Sequence, residues 1–372
     1  MVGGIESYVL GIGRELSELG HQIHVYTPDS VLGQRIEGRY EEIDGIHVHR
    51  IHVSFDASYR LRFWPELTNA LIRNNHDLVH VYSHDSYALS AAKAAEKDGI
   101  PFLITTYGPF ATHSDYGFLK GSLLRAYDFF VTPSLLRRCA SVLIRYPEIL
   151  EWVQSFGLSR DSVRLEPSGI PRTYLSQVRN SSFKEQVGRD GPLVLYLGRL
   201  SPQKGIRYAI EAMKYVAKKV PQAKLVMAGP DYSGYSAYLR QMIRKLDLAD
   251  NVILLDVVTD ETKEAQVIAS CDVFVMPSSF EGFSQAVMKA MAQGRPVVVS
   301  DVGGLPYEVD YGRCGAICEY GNSWSLATSI LQLIENPGMA AEMGTEGRTR
   351  AESFTFDRLA QSISDMYNEL IQ

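Results

Sequence analysis

Residues 198–205 read GRLSPQKG, directly after the apolar run LVLYLG (193–198) and directly before a segment with helical spacing. Arg199 and Lys204 therefore ride on a loop at the carboxyl end of a strand, beside a helix N-terminus. Backbone N–H groups at such an end favour anions, and the two cations add charge-assisted hydrogen bonds. A diphosphate suits this arrangement; a solvated turn with two surface cations would carry the same letters. A second loop, SSFEG (278–282), follows the strand DVFVMP (272–277). The spacing predicts a helix starting near Phe283, with Ala286, Met288 and Met291 as apolar positions. The amides of Gly282, Phe283, Ser284 and Gln285 then form a second anion-binding end. Glu281 on the turn suits vicinal sugar hydroxyls, with plain support of the turn as the alternative role. A third loop, VGGLPYEV (302–309), again sets glycines where a strand gives way to a helix, which permits close backbone approach or a tight turn. Three such loops on successive strands predict a cleft for a diphosphate bearing a hydroxyl-rich group. The spacing is not that of a GxxxxGK[ST] phosphate loop, so ATP hydrolysis is poorly supported.

The elements that position these loops are legible from periodicity. LVLYLG, KLVMAG (224–229), NVILLD (251–256), DVFVMP and PVVVSD (296–301) are short β-branched runs. Helical segments such as 204–220 and 236–248 separate them, which predicts βα units and a parallel sheet covered on both faces. Ligands of such sheets bind at the carboxyl ends of the strands. The N-terminal half repeats the alternation. A helix over 6–20 precedes strands at 22–28, 45–51, 77–82, 102–108 and 140–146, predicting a second doubly wound sheet. A polar, turn-rich linker is predicted near 168–192, and a closing helix over 355–372. A glycine turn such as Gly3-Gly4 normally follows a strand in a βα unit, so a strand is expected ahead of it, with a fraying start of the helix as the alternative.

Composition narrows the function classes. A length of 372 residues exceeds one ordinary core and predicts two domains. The net charge of −6 gives no bulk attraction to nucleic acid, so no nucleic-acid partner is expected. No apolar run reaches the ~18 residues that span a bilayer, and the start lacks a signal-peptide pattern. A cytoplasmic protein is predicted, with peripheral contact at the inner membrane face left open. Cys139, Cys271, Cys314 and Cys318 have no zinc-site spacing and read as free thiols, so no metal is expected.

Taken together, GGIESYVLGIGRELSELGHQIHVYTP near the start, RLEPSGI (164–170), GRLSPQKG, FEGFSQAVMKAMAQGRPVVVSDVGG and the final helix resemble the retaining nucleotide-sugar glycosyltransferases of family 4. The resemblance spans nearly the whole chain. It implies an α/β fold of two Rossmann-like doubly wound domains facing a central cleft, the GT-B arrangement. Residues 1–170 would bind the acceptor, completed by the helix at 355–372, and residues 171–354 would bind the donor. It implies that Arg199 and Lys204 hold the donor diphosphate, that Glu281 contacts the donor sugar, and that the amides around Phe283, Ser284 and Gln285 cradle the distal phosphate. Gly3 and Gly4 would face the diphosphate from the N-terminal domain. No cofactor or metal is implied, since cations and helix N-termini neutralise the leaving phosphate.

Two residues depart from the family pattern. Lys289 stands where a second acid usually holds the ribose hydroxyls. A lysine has donors only; pairing with a phosphate, donation to a ribose oxygen and an ion pair with Glu281 remain open. Tyr107 stands where a histidine is usual near the donor sugar and can donate one hydrogen bond there, while His113 offers an alternative or is an ordinary surface or core histidine. The partners implied are a nucleotide sugar and a glycan, lipid or small hydroxylated acceptor. The segments 58–66 and 110–130 concentrate aromatics and arginines suited to an acceptor, or to buried helix faces. The function implied is sugar transfer with retention at the anomeric carbon. A non-catalytic scaffold with a degenerate donor site, or a nucleotide-sugar epimerase, is the alternative.

Overall fold

The computed structural model describes residues 4–31, 34–58, 61–109, 117–176, 178, 183, 187, 191–255, 257–258 and 260–372. Gly3, His113 and much of the stretch 177–190 of the expected linker lie outside them. The chain divides into two compact units. Unit 1 is Met1–Ser168 with Phe356–Gln372, and unit 2 is Gly169–Thr355.

Unit 2 is a six-stranded parallel sheet with helices between the strands. Its strands are β8 (Leu193–Leu197), β9 (Lys224–Ala228), β10 (Val252–Leu255), β11 (Val273–Met276), β12 (Val297–Ser300) and β13 (Ala316–Cys318), in the order β10-β9-β8-β11-β12-β13. The order reverses at β8, so the carboxyl ends of β8 and β11 flank a crevice of the kind that takes ligands in doubly wound sheets. Every residue of β8 is buried, as an apolar strand covered on both faces should be. Helix α7 (Ile206–Lys219) buries Ile206, Ala209, Ile210, Met213 and Val216 at helical spacing, while Lys218 and Lys219 lie at the negative end of its dipole.

Unit 1 differs from the single sheet that the alternation predicts. Helix α1 (Gly4–Glu18) leads into β1 (Ile23–Pro28), which pairs in parallel with β3 (Ile46–Ile51); β2 (Tyr40–Ile43) closes that sheet antiparallel, in the order β1-β3-β2. A separate parallel sheet has the order β7-β6-β5-β4. It comprises β4 (Val79–Tyr82), β5 (Phe102–Thr106), β6 (Ser141–Ile144) and β7 (Val163–Leu165). Between the β1 edge and the β4 edge lies a cavity of about 760 Å³, and across it the two part-sheets do not pair. The closing helix α14 (Phe356–Ile371) packs on α1, joining Phe356, Ala360 and Ile363 to Tyr8, Ile12 and Leu16 in one core. Among the described residues no helix is long and apolar enough to cross a membrane. All four cysteines are free thiols.

Candidate functional site

The loop after β8 and the turn after β11 meet at the carboxyl edge of unit 2. Ser279 donates through both its amide and its Oγ to the carbonyl of Gln203, at 2.8 and 3.0 Å. Close contact of the two loops depends on glycine. Gly205 has φ +62°, and a Cβ there would lie 1.8 Å from the Pro277 carbonyl oxygen. Gly303 has φ +56°, and its Cβ would lie 2.1 Å from the carbonyl oxygen of Glu281, to which Gly304 donates at 2.8 Å. Glycine is the residue for such a conformation and such proximity. The third glycine loop thus sets the backbone of Glu281.

This scaffold brings Lys204 and Glu281 into an ion pair at 2.5 Å, with both side chains mostly buried. Ser278 Oγ donates to the same Glu281 oxygen at 2.9 Å. Lys204 has two further N–H donors, and the second oxygen of Glu281 remains an acceptor for a hydroxyl. Arg199 lies on the same loop, where Tyr196 Oη donates to its carbonyl at 2.9 Å. Its own side chain is exposed, with no ion pair among the described residues.

The helix after the turn, α10 (Gln285–Ala292), starts two residues later than the sequence spacing predicts. Ser284 is its N-cap, accepting from the Val287 amide at 3.4 Å. The Ser284 amide is already bonded, at 2.5 Å, to Glu308 Oε1, so it is not an open phosphate donor. The amides of Gln285 and Ala286, at the first two helical positions, have no partner within the helix. Gly282 is buried and Phe283 half-buried, its ring 5.6 Å from that of Phe354. Gln285 turns its side-chain amide to the Gly169 carbonyl at 3.0 Å. Glu308 was not singled out by the sequence spacing. It is wholly buried, and burial pushes its carboxyl well above the usual range, with the Ser284 amide opposing and Glu281 adding to the rise.

Lys289 does not reach Glu281. It lies one turn into α10 and pairs with Glu264 of α9 (Glu261–Ser270) at 2.7 Å, its Nζ 4.7 Å from the centroid of the Tyr174 ring. The ion pair with Glu281 that the sequence left open is not formed; Glu281 pairs with Lys204 instead.

Tyr107 and Gly4 belong to unit 1. Tyr107 Oη accepts from Arg145 Nη2 at 3.4 Å, and the guanidinium lies 5.2 Å from its ring centroid. Arg145 is fully buried, donates to the carbonyls of Glu166 and Pro167 at 3.0 and 3.2 Å, and sits 4.1 Å over the Tyr8 ring. Glu166 accepts from Tyr8 and, at 2.8 Å, from Thr105. Gly4 opens α1 and has open space where a Cβ would stand. Of the aromatic segments, Trp64 is core, stacked on Tyr87 at 5.1 Å, whereas Phe129 and Phe130 are exposed.

Two doubly wound units, one with a cationic loop and a buried acid at its switch point, define the glycosyltransferase fold class known as GT-B. Comparisons agree. The structure superposes on sucrose-phosphate synthase from Thermosynechococcus elongatus with a TM-score of 0.80 at 21% identity, covering 99% of this chain and 94% of that one. It also matches Anabaena HepE in complex with UDP-glucose, with a TM-score of 0.71 at 21% identity over 88% and 87% of the two chains. In sequence it is 25% identical to mannosylfructose-phosphate synthase of Agrobacterium fabrum over 97% of this chain and 85% of that protein. The model of Glycosyltransferase Family 4 matches residues 2–174 and that of Glycosyl transferases group 1 matches residues 177–350. The chain belongs to the family 4, group 1 glycosyltransferases, and it is a glycosyltransferase.

Proposed function

We propose that the chain transfers a hexose or related sugar from a nucleoside diphosphate to a hydroxylated acceptor with retention of anomeric configuration. The observation that carries this reading is the Lys204–Glu281–Ser278 cluster at the switch point of unit 2. It sets a cation and an acid side by side, the pairing that a phosphate next to a sugar hydroxyl requires. In the reaction, the bond from the anomeric carbon to the diphosphate oxygen breaks while the acceptor oxygen bonds to that carbon on the same face. The acceptor proton passes to the departing diphosphate oxygen. Lys204, Arg199 and the first amides of α10 neutralise the negative charge that collects on the leaving group, so the reaction runs without a metal. Glu281 accepts from sugar hydroxyls and keeps Lys204 aimed at the phosphates. Binding of UDP and UDP-glucose to HepE supports a nucleotide of this kind.

Calorimetry with UDP, GDP and ADP tests the reading, followed by turnover of the matching nucleotide sugar. At least one nucleotide is expected to bind, and Arg199→Ala is expected to weaken it about tenfold or more, the loss of one hydrogen bond to a charged group. Binding of none of the three, or an Arg199→Ala variant with full affinity, would overturn it.

A further inference from the structure

Unit 2 carries an aromatic face that the donor chemistry does not use. It lies on α7, which packs against both α8 (Tyr235–Lys245) and α12 (Ser323–Glu335). At the start of α7 the Arg207 guanidinium sits 4.5 Å from the Tyr208 ring centroid, and Tyr208 meets the Tyr320 ring edge-on at 5.5 Å. At the start of α8 the rings of Tyr235 and Tyr238 stack at 5.2 Å. Burial and then Tyr238 push the Tyr235 phenol up, Arg207 opposes, and Tyr208 and Tyr320 add to the rise, so the two groups adjoin. Further along α7, Tyr215 meets Trp324 of α12 edge-on at 5.0 Å. Positions 208 and 215 are two turns apart, about 10 Å along the helix. The rings thus form a row and not a single spot.

The chemistry of the row selects its ligand. Among the described residues, the exposed large hydrophobic side chains of α7, α8 and α12 are Tyr215, Tyr238 and Trp324, with no aliphatic one beside them. Tyr238 and Trp324 are 46% and 60% exposed, enough for a ring face to take a partner. The phenols of Tyr215, Tyr235 and Tyr238 and the Trp324 indole N–H have no hydrogen-bond partner among the described residues. Nearby charges are already engaged. The Asp231 carboxylate accepts from the amides of Ser233, Tyr235 and Ser236 at 3.2, 2.9 and 2.8 Å, Glu211 accepts from Ser323 Oγ at 2.6 Å, and Arg207 donates to Tyr208 Oη. Such a face offers apolar rings with polar edges. Its complement is a neutral molecule that is itself apolar on one face and hydroxylated at its edge, which describes a pyranose.

We propose that this face binds a neutral oligosaccharide, several linked sugars long, with C–H faces on the rings of Tyr238, Tyr208 and Trp324 and hydroxyls bonded to the phenols and Arg207. The length of the row calls for a chain, because one sugar covers only one ring pair. The face is continuous with the donor loop: the Tyr208 ring lies 3.5 Å from where a Cβ of Gly205 would stand. A chain held here therefore runs beside the loop that carries Lys204, which raises the concentration of glycan next to the transfer chemistry. This second sugar site does not depend on which nucleotide unit 2 takes.

The test is calorimetry of the 372-residue chain with maltoheptaose, cellohexaose and linear mannohexaose, each with and without UDP. At least one is expected to bind in both conditions, about tenfold or more tighter than the matching disaccharide. Tyr238→Ala and Trp324→Ala are each expected to weaken that binding about tenfold, the loss of one ring contact, while Tyr238→Phe keeps the ring and most of the affinity. Neither alanine variant should alter nucleotide affinity, and Arg199→Ala should leave the oligosaccharide bound as before. Oligosaccharide binding without any nucleotide binding would support this face and fail the donor reading alone. The proposal falls if none of the three chains binds, if the disaccharide binds as tightly, or if both alanine variants keep full affinity. It falls equally if Arg199→Ala releases the oligosaccharide, which would put the chain in the donor crevice. A dimer in sedimentation that Tyr238→Ala dissociates would assign the face to a second copy instead and refute it.

Discussion

Arg199 and Lys204 share a loop but differ in what they are free to do. Lys204 is held by the buried acid Glu281 at 2.5 Å, whereas Arg199 is exposed. Removing Lys204 leaves the Glu281 carboxylate buried with a neutral serine for company, so Lys204→Ala is expected to lower both nucleotide affinity and the unfolding midpoint. Arg199→Ala is expected to lower affinity alone, and calorimetry beside thermal scans separates the two. Lys289 shows where residue-level inference from sequence stops. Restoring the family's acid with Lys289→Glu looks conservative of function until Glu264 is placed 2.7 Å from the lysine. That partner lies on another helix, and no local spacing announces it. The variant sets two half-buried carboxylates together, so it is expected to destabilise unit 2 by roughly 1–3 kcal/mol. The double variant Lys289→Glu with Glu264→Lys should recover most of the loss in chemical denaturation. A single variant as stable as the parent would show that the pair contributes nothing.

Elements divide by how much of their context is written locally. The strands of unit 2 are continuous apolar runs, and β8, β9, β11 and β12 fall inside the predicted segments because full burial leaves no other pattern. The start of α10 was less legible: Phe283 reads as helical by apolarity, but Ser284 caps the helix one residue later. The division of unit 1 into two part-sheets was not legible at all, since each strand there reads as a strand and pairing is a property of neighbours. Glu308 was likewise hidden, because its bond to the Ser284 amide joins segments that only the fold brings together. The glycine loop at 303–304 carries the sharpest consequence at this scale. Gly303→Ala must either leave φ +56° or push on the Glu281 carbonyl, so a cost of about 2 kcal/mol or more is expected. Nucleotide affinity should fall with it, since the backbone that moves is that of the site acid. Unchanged stability and affinity would mean that the turn does not position Glu281.

Across the molecule, the two units should answer acid in opposite directions. In unit 1, part-buried His80 is held between Tyr367 Oη and Thr105 Oγ1, at 2.6 and 2.7 Å, and desolvation with Arg145 nearby lowers its pKa to about 3. His24 is brought down to about 4 by burial and by His76, His47 and His49. The unfolded chain protonates both from about pH 6.5 downward, while the native unit refuses the protons until far lower pH. Stability of unit 1 is therefore fully present above about pH 6.5 and falls as pH drops towards 4, by about 1.4 kcal/mol per pH unit for His80 once its unfolded form is protonated. Burial raises the pKa of Glu166 and of Glu15, which works against this, but His49 and His76 are lowered by burial as well, so the histidines outnumber the two acids. In unit 2, Glu308 is the dominant shifted acid, and its raised pKa has the reverse effect. The folded unit takes up a proton before the unfolded chain does, so this carboxyl favours the fold more as pH falls towards the ordinary glutamate range. Hydrogen exchange at pH 7 and pH 5, corrected for intrinsic rates, resolves the units by peptide. The core strands of unit 1 are expected to lose protection at pH 5 relative to those of unit 2. His80→Gln should reduce that loss, and Glu308→Gln should abolish the pH response of unit 2 without altering unit 1. Equal losses in both units, unmoved by either substitution, would place the acid sensitivity elsewhere than in these buried groups.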